Sequence, residues 1–274
     1  MTPAFWDKII KVTNTIGARR PEDLIMVLSA ESAFTMSPSA TKSYRRPIIG
    51  PPNTWEGTSG ALGLNTIMPF VGREIGLTPQ QWWSLPDMTP EQNLDITEKY
   101  FQHILHKYGQ GKKGYANVLD LYLANAALAT WIKGVKGQLA PNTIIYGPSD
   151  TKSNPGLDYN KDGIIDVGDM NAVILSAVYP NTKKYLNEYA NYRLVAGLEV
   201  SKPYVLAGYH PEGKYVPDDL NKSLNEINGG RAPNPAGAET PGLLQRFDQA
   251  NPVVKIGTGA ALGYGLYRLA RLFI

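Results

Sequence analysis

The sequence predicts a mostly α-helical fold, and three observations carry that expectation. Two runs, Leu24 to Glu31 and Val118 to Trp131, are apolar almost all round, as helices buried through the centre of a domain are. The stretch opened by Thr89-Pro90-Glu91 is strongly amphipathic, with Leu94, Ile96, Tyr100, Phe101, Ile104 and Leu105 on its apolar face. No run of alternating β-branched residues is long enough to make a sheet of any size.

Taken in order, Asp7 to Gly17 reads as a short amphipathic helix in which Ile9, Ile10 and Val12 interleave with Lys8 and Lys11. Arg20-Pro21 ends it. Pro21 suits the first turn of a second helix, with Glu22 and Asp23 near the positive end of its dipole. Residues 35 to 60 are rich in Ser, Thr, Pro and Gly and read as loop, and Ile67 to Ile75 reads as helix. Thr89 is the expected N-cap of the amphipathic helix. Beyond Pro141 come a loop to residue 157, an acidic cluster at 158 to 169, a short helix at 169 to 179 and a helix from Asn181 to Leu198. Asn228 to Gly242 has the Gly/Pro/Ala composition of a linker.

Composition narrows the function. The chain has 274 residues, 43% hydrophobic and 19% charged, which is ordinary for a globular protein. A formal charge of +3, with no dense Lys/Arg run, argues against a nucleic-acid partner. Without cysteine there is no disulfide scaffold, thiol nucleophile, iron–sulfur cluster or cysteine zinc site. The charges at Lys8, Lys11, Arg19, Arg20, Glu22 and Asp23 interrupt every early apolar run, so no secretory signal peptide is expected.

Three features of the first 131 residues carry chemistry. Glu31 closes an apolar helix, and a carboxyl there loses hydration, which favours its protonated form and suits it to donate a proton to a glycosidic oxygen. Ser32 beside it can hydrogen-bond a carboxylate or a sugar. Ser59 to Pro69 (SGALGLNTIMP) is a small-residue loop that lets backbone approach a ligand closely before the chain returns to the core at Met68. Asp120 to Ala127 (DLYLANAA) is a buried helix bearing one phenol, Tyr122, and one amide, Asn125, whose polar groups need partners.

In this order and spacing, the Glu-Ser pair, the Gly-Ala-x-Gly-Leu…Met-Pro motif, the helix start Met88 to Asp95 (MTPEQNLD) and the Leu121-Tyr122 helix resemble the lysozyme-like lytic transglycosylase family. The branch found in bacteriophage particles is the nearest in pattern, and the resemblance runs from about Leu24 to Trp131. It implies a helical lysozyme-like fold that cleaves the MurNAc–GlcNAc β-1,4 bond of peptidoglycan. It also implies Glu31 as the single catalytic acid and base, with Ser32, Ser59, Gly63, Thr66, Met68, Tyr122 and Asn125 as substrate-binding residues and no cofactor for catalysis. Thr66 stands where the family usually has Gln. Asn125 matches the Asn of the third motif of cellular members, with Ala124 in place of its Tyr; the phage-type helix instead aligns Tyr122. A hydrolase needs a second carboxylate, and between Glu31 and Met68 only Glu56 offers one. A transglycosylase needs none, because the C6 hydroxyl of the substrate attacks C1. A lysozyme using Glu56 and a particle protein that has lost catalysis are the alternatives. As a component of a virion, the protein would reach the cell wall without a signal peptide, beside other virion proteins.

Asp158 to Asp169 (DYNKDGIIDVGD) fits the 12-residue EF-hand loop. Asp158, Asn160, Asp162, Asp166 and Asp169 fall at the oxygen-ligand positions, Ile164 offers its carbonyl, and Gly163 sits where the chain turns sharply. Asp169 replaces the usual Glu. A structural Ca2+ is expected there, pinning residues 141 to 180 to the catalytic part. The organisation is then residues 1–140 as the lysozyme-like domain and 141–180 as an extension with the calcium loop. Residues 181–250 form a helical or irregular extension with a linker, and 251–274 an apolar, basic C-terminal segment.

In that last segment Val253 to Ile274 carries Lys255, Arg268 and Arg271 and no acid. Its uncharged stretch, Ile256 to Tyr267, is 12 residues, short of the roughly 20 that span a bilayer. Membrane contact through residues 253–274, docking on a partner protein and an ordinary core helix all remain open. His103 and His106, one turn apart between Lys99 and Lys107, read as a solvated helix face rather than a metal site.

Overall fold

The computed structural model describes residues 1–40, 50–58, 60–152, 154–198 and 217–229, and within them the protein is mostly helical. Helix α1 is Pro3–Thr15. It starts earlier than expected because Thr2 caps it, accepting from the Phe5 backbone N–H at 3.1 Å, with Pro3 in the first turn. Helix α2, Pro21–Glu31, is buried from Glu22 to its last residue. It lies between α1, helix α6 (Val118–Ala126) and helix α10 (Tyr179–Val195), which explains why its sequence has no polar face. Leu24, Ile25, Met26, Val27 and Leu28 are all 0% exposed; truncating any one to alanine costs roughly 2–5 kcal/mol in such a setting.

Two short helices, α3 (Pro69–Glu74) and α4 (Pro79–Ser84), follow the motif loop. Helix α5, Pro90–Tyr108, begins with a reciprocal Thr89/Gln92 capping box and packs along α1. Where one helix was expected from Val118 to Trp131, the chain breaks at Ala127 (φ −146°, ψ 57°) into α6 and α7 (Leu128–Val135). Asp120 anchors this region. Its carboxylate, 0% exposed, accepts from Trp131 Nε1 at 2.6 Å, Lys112 Nζ at 2.8 Å and the Ala116 backbone N–H at 2.7 Å.

The expected loop after Pro141 contains a strand, β1 (Ile144–Tyr146), and one helical turn, α8 (Pro148–Thr151). Strand β1 pairs antiparallel with β2 (Ile165–Asp166), setting Tyr146 opposite Ile165. From there α9 (Val167–Val173), a π turn (Ile174–Val178) and α10 run without interruption. The two helices expected on either side of Pro180 are therefore joined; the wider π turn accommodates a proline that has no N–H to give.

A last described helix, α11 (Pro217–Ile227), docks back on the domain through Leu220, Leu224 and Ile227. Arg19 pairs with Glu226 at 2.9 Å, and Asn228 and Leu139 exchange two hydrogen bonds, Leu139 N–H to Asn228 Oδ1 at 3.2 Å and Asn228 Nδ2 to the Leu139 carbonyl at 3.0 Å. A single hydrophobic core cluster runs from Phe5 to Ile227. No helix among the described residues is long and apolar enough to cross a membrane. The expected linker beyond residue 229 and the segment 251–274 lie outside the described residues.

Candidate active site

Glu31 ends α2 and is 6% exposed. Its neighbourhood is assembled by four parts of the chain. The first is the small-residue motif, which folds as a tight hairpin: Leu62 and Ile67 bridge as an isolated antiparallel pair around a turn from Gly63 to Thr66. Gly63 (φ +82°) permits the turn, and Asn93 of α5 clamps it, its Oδ1 accepting from the Leu64 backbone N–H at 3.1 Å and its Nδ2 donating to the Leu85 carbonyl at 2.9 Å. Thr66 is then held left-handed, at φ +55°, where a β-branched residue is strained. In that posture its hydroxyl donates to Glu31 Oε2. Local strain is thus spent on putting one hydroxyl against one carboxylate.

A Cβ on Gly63 would lie 2.6 Å from Asn93 Oδ1. Gly63→Ala is therefore expected to destabilise the protein by about 2 kcal/mol, from left-handed strain plus displacement of the clamp, read as a lower midpoint in urea.

Helix α5 supplies Tyr100 and strand β1 supplies Tyr146. Tyr100 donates to the carbonyls of Ala124 and Asn125 at 3.1 and 3.2 Å, and Tyr146 to that of Ala126 at 2.8 Å. These are carbonyls at the α6/α7 break. Burial pushes both phenols well above the usual tyrosine range, and the negative charge of Glu31 adds to the shift in each. Both remain neutral donors, and Glu31 is the acid they share. Neither was singled out in the sequence: Tyr100 counted only as part of an apolar face, and Tyr146 lay in a stretch read as loop. Two amides next to these contacts, Asn65 and Asn125, have Nδ2 and Oδ1 respectively buried with no protein hydrogen bond, so they are available to a ligand or solvent.

The other expected site residues are distributed as follows. Met68 is half-buried as the N-cap residue of α3. Tyr122 is 1% exposed, inside the core. Ser32 is 0% exposed and committed to backbone, donating to the Leu28 carbonyl at 2.8 Å and accepting from the Met36 N–H at 3.0 Å. Ser59 lies outside the described residues. Glu56 is exposed in a turn that is pinned to α4 by Trp55 against Trp82 and by Trp83 Nε1 donating to the Thr54 carbonyl at 3.3 Å. His103, on the face read as solvated, has an acidic neighbour: Glu74 of α3 lies 3.2 Å from its Nε2 and 2.9 Å from Lys107 Nζ. His106 is exposed.

In the acidic loop, carboxylate oxygens of Asp158, Asp162 and Asp169 lie within 4.8 Å of one another and could hold a metal ion. Gly163 turns the chain at φ +85°. The backbone N–H of Gly163 donates to Asp158 at 3.0 Å, and that of Ile164 to Asp162 at 2.9 Å. Asn160 Nδ2 bonds Asp162 at 3.1 Å. Asp166 caps α9 by accepting from the Asp169 N–H at 2.9 Å. Burial raises the Asp169 carboxyl above the usual range; hydrogen bonds from the Asp166 and Asn160 backbones oppose this, and the charges of Asp166 and Asp158 add to it. Ile165, 0% exposed, ties the loop to the core and, through β1, to the strand that carries Tyr146.

No family model, curated protein or solved structure matches this chain.

Proposed function

We propose that the protein cuts peptidoglycan glycan strands as a lytic transglycosylase of lysozyme-like fold, with Glu31 as the one catalytic acid and base. The observation that carries this reading is a nearly buried glutamate at the end of an apolar helix, met by a hydroxyl from a strained left-handed Thr66. In the first step Glu31 gives its proton to O4 of the leaving GlcNAc as the bond to C1 of MurNAc breaks. In the second, the MurNAc C6 oxygen bonds to C1 and its proton goes to Glu31, leaving a 1,6-anhydro end and restoring the acid. Exposure of Glu56 on a separate turn supports the one-carboxylate route over hydrolysis. Asn65 and Asn125 supply polar atoms that a sugar could satisfy. The resemblance in motif order supports a site of action in a phage particle, on the host wall and beside other virion proteins.

Purified cell wall digested with the protein is expected to yield anhydro-muramic ends in the mass spectrum. Hydrated reducing ends alone would mean a hydrolase, and an undigested wall would mean a particle protein without catalysis.

We read the acidic loop as a structural Ca2+ site, with Asp158, Asn160, Asp162, Asp166, Asp169 and the Ile164 carbonyl as ligands, on the strength of its EF-hand spacing and the three converging carboxylates. Calcium at about a hundredfold its Kd is expected to raise Tm by about 5–10 °C over the value in EDTA. An unchanged melt would remove the metal from the account.

A further inference from the structure

We propose that a cleft on the side of the molecule built by α11 is a binding site for a phosphate group. The cleft has a volume of about 120 Å³ and lies between the Arg19-Arg20 corner that precedes α2, the start of α6 and one face of α11. Three cations line it, Arg19, Arg20 and Lys222, against a single acid, Glu226. Both oxygens of Glu226 are engaged: Oε1 lies 2.9 Å from Arg19 Nη1, and Oε2 accepts from Asn117 Nδ2 at 3.1 Å. Behind the wall, buried Asp23 stands 3.7 Å from Arg20 Nε. Counting both acids, the three cations leave one positive charge in excess, and Arg19 and Lys222 are both exposed.

The donors approach from two sides. Arg19 and Arg20 line the corner side, and Lys222 and Ser223 line the side formed by α11. An anion with oxygens pointing in several directions can bridge both sides, whereas a planar carboxylate is matched by one guanidinium fork. A tetrahedral phosphate, free or as an ester, is therefore the chemistry the cleft fits. Glu226 keeps the cleft from being indiscriminately basic and holds Arg19 on its rim. This site is independent of Glu31 and of the glycan reading, so the two stand or fall separately.

The test is isothermal titration of the full chain with inorganic phosphate, glycerol phosphate and acetate at one ionic strength. Phosphate is expected to bind saturably. Lys222→Gln should weaken it about tenfold, the effect of one unit charge at ~6 Å with an effective dielectric of about 40. Glu226→Gln should strengthen it by a similar factor, because a competing charge is removed while the amide oxygen can still accept from Asn117. Binding of inorganic phosphate alone would identify a free-ion site, and binding of glycerol phosphate as well an ester site; both support the proposal. Absence of saturable binding of either phosphate, acetate binding as tightly as phosphate, or the two variants shifting affinity in the same direction would overturn it.

Discussion

Glu31→Gln is expected to abolish clearing of cell-wall zymograms, with a fall in rate of at least ~10³-fold, because one group serves as acid in one step and base in the next. The substitution is nearly isosteric. Its side-chain oxygen can still accept from Thr66, and α2 keeps every apolar contact that holds it in the core. Tm should therefore move by no more than the shift that about 0.5 kcal/mol produces. Loss of activity with an unchanged melt is the informative pair. Full activity in the variant would refute Glu31 as the catalytic acid and base, the one acid that accepts from Thr66 and bears on both Tyr100 and Tyr146 among the described contacts.

The largest effect on stability is expected at Asp120. Asp120→Ala strands the Lys112 ammonium, itself largely covered and lying over the Trp131 ring at 5.9 Å, and leaves the indole N–H and the Ala116 N–H without their acceptor. Removing one member of such a buried set costs about 3 kcal/mol or more, to be measured by urea unfolding. The pH dependence has a definite sign. Burial raises the Asp120 carboxyl above its ordinary value of 3.8, and the nearby Lys112 charge and three hydrogen bonds offset this only in part. In the window just above 3.8 the folded protein therefore takes up this proton more readily than the unfolded chain. The contribution of the group to stability grows as pH falls through that window and is lost as pH rises through the elevated folded value. Relative to Asp120→Asn, the wild type should gain stability as pH is lowered toward 3.8; a flat difference curve would show that the carboxyl is not shifted.

What was legible in the sequence follows from what short-range chemistry encodes. Helix α5 could be read because its cap, proline and apolar stripe all agree, and α2 because a run without a polar face has nowhere to lie but the interior. Glu31 stood out for the same reason, a charge at the end of such a run. The break at Ala127 could not be read. Alanine favours helix, and the interruption is held by two phenols, Tyr100 and Tyr146, donating to carbonyls 20–25 residues distant in sequence. Strand β1 was invisible because three residues give no period, and its two-residue partner is hidden inside the acidic loop. The partners of Ser32 are backbone groups, which composition does not reveal, so a residue expected to face a sugar turns out to close its own helix. The clamp by Asn93 was hidden in the polar part of an amphipathic helix, although a buried asparagine on α5 is the kind of residue that has to have such a task.

Helix α11 reaches back 207 residues to pair Glu226 with Arg19, and its Asn228 closes on Leu139 across 89. On a ribosome, the corner at Arg19 emerges long before the helix that covers it. The early elements must therefore wait, partly assembled and with apolar surface showing, until the segment around Leu224 has been made. A release of the chain short of that point would leave Gly134 without Ile227 against it and the Leu139 backbone without Asn228. Maturation of this protein is accordingly a late event in its synthesis, and truncated products would be early clients of chaperones and proteases.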